Sequence, residues 1–197
     1  AAQEMNAYFL QRINDIRRHP KEHLLGQLVA TETEDGKLDD EELLSFCRLL
    51  LIAGNETTTG LITASARIFH EEPDTLIQLK QNPQLAKNFV EEALRFYSPF
   101  SATVRRTTKD VEIAGRAIAA GELVIPLLAS ANRDERVFEA PDTFRLDRSP
   151  NPHLGLGFGI HVCLGAHLAR LEGKIVVEQM AERYRGIELV NAQATTV

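Results

Sequence analysis

Leu154-Gly155-Leu156-Gly157-Phe158-Gly159-Ile160-His161-Val162-Cys163-Leu164-Gly165 is the stretch from which the rest of the chain is read. Its glycines allow backbone angles and close approaches that a side chain would block. They lead into one cysteine. Apolar residues then recur near a helical period at Leu168, Leu171, Ile175, Val176 and Met180, which predicts an amphipathic helix. The Cys163 sulfur therefore sits just ahead of a helix N-terminus, whose positive end and free amides favour a thiolate. A cysteine alone is more often a small buried hydrophobe. The glycine-rich approach, His161 two residues earlier and the helix that follows point instead to a metal held through one anionic sulfur.

The 197 residues suit a single domain, with 44% apolar and 25% charged residues. A net charge of −6 argues against nucleic-acid binding and against an anionic membrane surface. No apolar run reaches the ~18 residues of a membrane span, and Ala1 opens inside a helical pattern, so no leader is expected. Cys47 and Cys163 offer no disulfide framework, which fits a cytoplasmic protein. A zinc site made of Cys163, His161 and His167 would lack the paired spacing that structural zinc uses.

Upstream, the pattern is helical. Met5, Phe9, Ile13 and Ile16 share one face of a helix over residues 3–18, which His19-Pro20 stops. A second helical piece covers residues 22–29, and the acidic, polar residues 31–36 read as a turn or exposed loop. Asp39 suits an N-cap, with Glu41 and Glu42 in the first turn. The long helix predicted over 42–70 is apolar on most faces, as in the middle of a protein. Within it, Ala53-Gly54-Asn55-Glu56-Thr57-Thr58-Thr59-Gly60 is rich in poor helix formers. This patch predicts a local opening beside a ligand, with Glu56 and Thr57 as a proton path. Further helices start at Pro73 and at Leu85. The second carries Glu92 and Arg95, three apart on one face. Short runs around Val111, Ile113, Ile118 and Val124, separated by turn glycines, predict a small antiparallel β region in a mainly α chain.

Three of these stretches, in this order, resemble the cytochrome P450 family. Gly159, His161, Cys163 and Gly165 match its haem-ligand loop, with Leu156 where the family has phenylalanine. Ala53-Gly54, Glu56, Thr57 and Thr58 match its oxygen-activation motif, and Glu92 and Arg95 its buried Glu–Arg pair. The resemblance implies the family's fold, represented by its C-terminal half over residues 1–197, with the central helix at 42–70 and the ligand loop at 154–165. It implies heme b (iron protoporphyrin IX) with an axial thiolate from Cys163. Gly54, Leu156, Gly157, Ile160 and Gly165 would lie against the haem, and Arg105, with Arg106 as a substitute, and His161 would meet its propionates. Glu56 and Thr57 would deliver protons for dioxygen activation. Glu92 and Arg95 would act structurally, joined by Arg145 or Arg148, since Thr143 stands where the family often has a third charge. Ala53, Phe100, Ser101, Ala102, Thr103 and Val104 would line the substrate pocket.

The implied activity is that of a soluble, bacterial-type haem-thiolate monooxygenase. It takes O2, two electrons from a ferredoxin or flavoprotein reductase, and a small apolar organic substrate. Arg170 and Lys174, just after the ligand loop, would face the redox partner. The competing expectation is a non-catalytic fragment that binds haem weakly, self-associates, or is complemented by an N-terminal half. Against the family, the first half is missing, and Asn191 to Val197 carry no final β-hairpin.

Overall fold

The computed structural model describes residues 2–33 and 36–190. Among them are seven α-helices and three two-stranded antiparallel sheets, a mainly α chain with a small β component. Residues group into two compact units, Ala1–Glu56 and Thr57–Val197.

The first unit holds α1 (Ala2–Arg18), α2 (Leu24–Ala30), β1 (Glu32–Thr33), β2 (Gly36–Lys37) and the first turns of α3 (Asp40–Glu71). Its core is Ile13, Leu43 and Leu44, closed by Phe9, Leu10, Leu25, Leu28, Val29 and Leu38. Asp39 caps α3 as its residue type predicts. Its Oδ1 accepts the Glu42 amide at 2.8 Å, and Glu42 Oε2 accepts the Asp39 amide at 2.9 Å, a reciprocal capping box. At either end of the stretch expected as a turn or exposed loop, Glu32–Thr33 and Gly36–Lys37 pair as short antiparallel strands, Glu32 opposite Lys37 and Thr33 opposite Gly36. Gly36, at a φ of 109°, supplies the backbone freedom that the reversal needs.

The 32-residue α3 corrects two expectations. It runs unbroken through 53–60 with no opening. Its capped start and the burial of Leu61, Ala64, Ile68 and Phe69 outweigh the ~1 kcal/mol cost of a glycine and the smaller cost of each threonine. Its early apolar run is not buried on most faces either: Leu43, Leu44 and Cys47 are buried, but Leu49, Leu51 and Ile52 are exposed, as are Ala53, Gly54 and Glu56.

The second unit is built on α4 (Pro73–Gln81), α5 (Ala86–Phe96) and α7 (Ala166–Arg183), together with the rest of α3. Leu61, Ile68, Phe69, Leu76, Leu79, Phe89, Val90, Leu94 and Val177 fill its core. Phe69 stacks on Phe89 at 4.9 Å between ring centroids. Between α5 and α7 lie β3 (Arg105–Arg106), β4 (Val111–Ile113), β5 (Arg116–Ile118), β6 (Leu123–Val124) and α6 (Leu128–Ala131). β4 and β5 form a hairpin whose two turn residues, Ala114 and Gly115, both have positive φ, the geometry that matches strand twist. β3 pairs with β6, Arg105 opposite Val124. α6 is a single turn.

The face that α7 buries also differs from expectation. Leu168, Leu171 and Ile175 are exposed, whereas Ala166, Gly173, Val177 and Ala181 are buried. Small residues win this face because α7 lies close to its neighbours. A Cβ on Gly173 would come within 2.9 Å of Leu61 Cδ2 and 3.3 Å of Val90 Cγ2. The absence of a hairpin over residues 191–197 concerns positions outside the described residues. Among the described residues no helix is long and apolar enough to cross a membrane.

Candidate functional site

The ligand loop is shaped by its own backbone. The Gly157 amide donates to Leu154 O at 2.9 Å, and the Cys163 amide donates to Leu156 O at 2.8 Å, folding the loop back on its start. A single 3₁₀ turn, Gly159–His161, carries the chain round. Gly157 has a φ of 77°, and a Cβ there would meet His161 O at 2.4 Å, so only glycine fits. A Cβ on Gly155 would meet Leu94 O at 2.6 Å, which sets the loop directly against α5. Leu156 packs half-buried on the core of the second unit. The Ala166 amide donates to Cys163 O at 3.1 Å, and α7 starts at once, with Gly165 as its N-cap.

This arrangement leaves Cys163 exposed, unlike the buried Cys47. The apolar residues flanking it in the loop are open as well: Phe158 is 79% exposed, Ile160 97% and Leu164 79%. Among the described residues no group of three or more His, Cys, Asp or Glu side chains could hold a metal ion. One thiol, with no companion ligands and an apolar rim, fits a metal that brings its remaining ligands on a flat apolar frame. The residues present thus fit a haem.

Behind the loop lies a buried charge cluster. Glu92 and Arg95 are both 0% exposed and meet in a two-pronged pair at 2.8 and 2.9 Å. Arg95 also donates to the carbonyls of Asn132, Pro141 and Thr143. The remaining lone pairs of Glu92 accept Arg148 Nε at 3.0 Å, the Arg145 amide at 3.0 Å and Asn151 Nδ2 at 3.0 Å. Of the two arginines left open by the sequence, Arg148 brings its guanidinium to Glu92. Arg145 spends its own on Asp147 and Glu139. Thr143 contributes its carbonyl, not its side chain.

Beside this cluster stands a second one. Glu91 accepts Arg170 Nε at 2.7 Å and Nη2 at 3.0 Å, and pairs with His153 Nε2 at 3.1 Å. The other ring nitrogen, His153 Nδ1, accepts the Gly155 amide at 3.1 Å. Burial alone would raise the Glu91 carboxyl. The hydrogen bonds from His153 and Arg170, with the charge of Arg170, outweigh it and hold the group at about 2. Arg170, a candidate partner-facing residue by sequence, is thus tied inward, and Lys174 pairs with Glu178 on its own helix.

Other expected site residues fall as follows. Ala53, Gly54 and Glu56 belong to the first unit, on the exposed part of α3. Thr57 is half-buried in the second, where its neighbour Thr58 donates to Glu172 of α7 at 3.4 Å. Residues 100–104 run extended, with Thr103 donating to Pro126 O and Ala102 bridged to Leu127. Phe100 and Val104 are exposed on this segment, Ser101 is exposed, and Ala102 and Thr103 are half-buried. Arg105 is exposed and folds back on Thr103 Oγ1 and Val104 O, Arg106 binds Gly121 O, and His161 is exposed. Sequence reasoning missed Asn132, His153 and Glu91. Buried Asn132 donates to Ser98 Oγ and accepts the Leu154 amide at 2.7 Å, which fixes where the loop begins.

Comparison with known proteins gives a consistent result. The family model described as cytochrome P450 matches residues 1–189. The chain is 44% identical over 185 residues to a biotin biosynthesis cytochrome P450 of Bacillus subtilis, covering 94% of this chain and 47% of that protein. Among solved structures it is similar to CYP109E1 of Bacillus megaterium in complex with testosterone, with a TM-score of 0.88 and 42% identity over 93% of this chain and 51% of that one. It is also similar to P450BioI in complex with an acyl carrier protein carrying hexadec-9Z-enoic acid, with a TM-score of 0.87 and 44% identity over 91% of this chain and 46% of that one. The chain spans about half the length of the curated relatives it matches.

Proposed function

The chain belongs to the cytochrome P450 family, and from that premise we propose that it supplies the thiolate ligand and proton-delivery residues of a haem-thiolate monooxygenase. The observation that carries this reading is the exposed Cys163 thiol on a glycine-shaped loop with an apolar rim and no companion ligand. Cys163 holds the haem iron. Gly157 and Gly165 would keep side chains away from the ring, while Leu156 and Ile160 would give it apolar contact. Arg105 and His161, both exposed, turn to the propionates, where a guanidinium fork suits a carboxylate. When bound, the haem supplies activation of dioxygen with two electrons from a ferredoxin or flavoprotein reductase, and insertion of one oxygen atom into a C–H bond.

The chain's own residues do the rest. Thr57 and Glu56 form an alcohol–acid pair that holds a proton and passes it toward dioxygen. Ala53 and residues 100–104 are small or apolar apart from Ser101 and Thr103, and they take an apolar organic substrate. The relatives bound to testosterone and to a hexadecenoic acyl chain accept ligands of that character. Glu92 and Arg95 act structurally, fixing the segment ahead of the loop.

Labelled dioxygen tests the reading. Haem-loaded protein, supplied with a reduced ferredoxin and a panel of apolar substrates, should place one labelled oxygen atom in a product, and Cys163→Ser should abolish it. A product formed at the same rate by Cys163→Ser would refute the assignment.

A further inference from the structure

We propose that Glu91 is a positioning residue for the Cys163 ligand: its one carboxylate ties His153, on the approach to the loop, to Arg170, on the helix that leaves it. This rests on the haem-thiolate reading and deepens it.

On the approach side, Glu91 Oε2 meets His153 Nε2 at 3.1 Å. The Gly155 amide donates to His153 Nδ1, so that nitrogen is the acceptor and Nε2 carries the proton that Glu91 receives. One tautomer satisfies both bonds. Gly155 is pressed against Leu94 O, and the next residue, Leu156, accepts the Cys163 amide at 2.8 Å. Glu91 therefore reaches the cysteine backbone through His153, Gly155 and Leu156. On the exit side, Arg170 lies in the second turn of α7, which starts at Ala166, and gives Glu91 a two-pronged pair at 2.7 and 3.0 Å. The His153 side chain is only 3% exposed and that of Glu91 23%, so water competes weakly for these bonds.

The same pairing sets a carboxylate and a guanidinium against the segments on either side of Cys163. The hydrogen bond to Glu91, and then the charge of that carboxylate, hold the Arg170 guanidinium above its usual range against the opposing effect of burial. The carboxylate balances that cation. Removing either charge alone leaves the other uncompensated near the ligand, so the two changes act on the iron in opposite directions. Partners behind a metal ligand have this leverage on ligand orientation and metal electronics.

Two measurements test the proposal. In the haem-free chain, amide hydrogen exchange at Gly155 and Cys163 should speed up about tenfold in Glu91→Ala, as expected when local opening loses one hydrogen bond to a charged group, and stay unchanged in Glu178→Ala, a control on α7. Unchanged exchange in Glu91→Ala overturns the proposal whether or not haem binds. In the haem-loaded protein, Glu91→Gln should raise the reduction potential, Arg170→Gln should lower it, and the double variant should fall between them. Shifts of the same sign, or shifts that merely follow melting temperature, also overturn it. A wild type that takes up haem without thiolate ligation defeats the functional reading instead, and leaves the exchange result to decide this one.

Discussion

Gly157 shows at residue scale how little freedom the ligand loop has. Its φ of 77° and the 2.4 Å approach of His161 O to any Cβ act together. Gly157→Ala should cost roughly 3 kcal/mol from left-handed strain and a backbone clash, read as a lower melting temperature. Gly165→Ala, whose Cβ would sit 3.9 Å from Cys163 Sγ in ordinary contact, should cost much less. An equal loss in the two variants would contradict this account of the loop. Both glycines stand out in the sequence because the spacing of glycines around a cysteine is a local pattern. Glu91 and His153 do not, since they are 62 residues apart and a lone Glu or His has no pattern of its own. Arg145 and Arg148 are equivalent in sequence. A three-residue shift along an irregular segment decides which guanidinium faces Glu92, and only the folded chain shows it.

Elements bring these residues together, and α5 carries most of the load. It presents Glu92 and Arg95 to the buried cluster and Glu91 to the neighbouring one. The Glu92 carboxylate is enclosed by two guanidinium groups, an amide and a side-chain NH2. Glu92→Ala should therefore leave buried, uncompensated cations and cost about 3–5 kcal/mol in denaturant unfolding. Removal of the solvent-screened Arg136–Asp134 pair should leave the unfolding midpoint nearly unchanged. Similar losses from the two would show that burial is not what makes the first cluster strong. The pairing of Glu92 with Arg95 is legible from a three-residue spacing, but that spacing alone does not show burial, because surface helices carry it too; the expectation of burial comes from the family resemblance. On α7 the apolar period was visible and picked the wrong face. Leu168, Leu171 and Ile175 carry more apolar surface than Gly173 and Ala181, yet close approach to α3 and α5 selects the small residues. The long α3 was legible nearly to its ends, whereas the expected opening at 53–60 was not there. Weak helix formers inside a helix of 32 residues are carried by the turns on either side.

For the whole molecule, pH exposes the Glu91 cluster. Its carboxyl lies at about 2 in the folded chain against an ordinary 4.5. A depressed pKa contributes stability that is present above the ordinary value and is lost as pH falls from there through the folded value. Between about pH 4.5 and 2 the wild type should thus lose stability more steeply than Glu91→Gln, a difference readable from urea midpoints across that range. Parallel curves would mean the pairing contributes nothing. The open apolar residues of the ligand loop and of α7 belong to the same scale. They form the kind of surface that a bound group or further polypeptide covers. The central claim is that Cys163 binds haem iron as a thiolate, and an absorption spectrum tests it most directly. The chain is loaded with haem, alone and with the remaining half of a relative supplied in trans, then reduced and exposed to carbon monoxide. A strongly red-shifted Soret band that disappears in Cys163→Ser is the predicted result. No such band in either setting, or a band that survives Cys163→Ser, would contradict it.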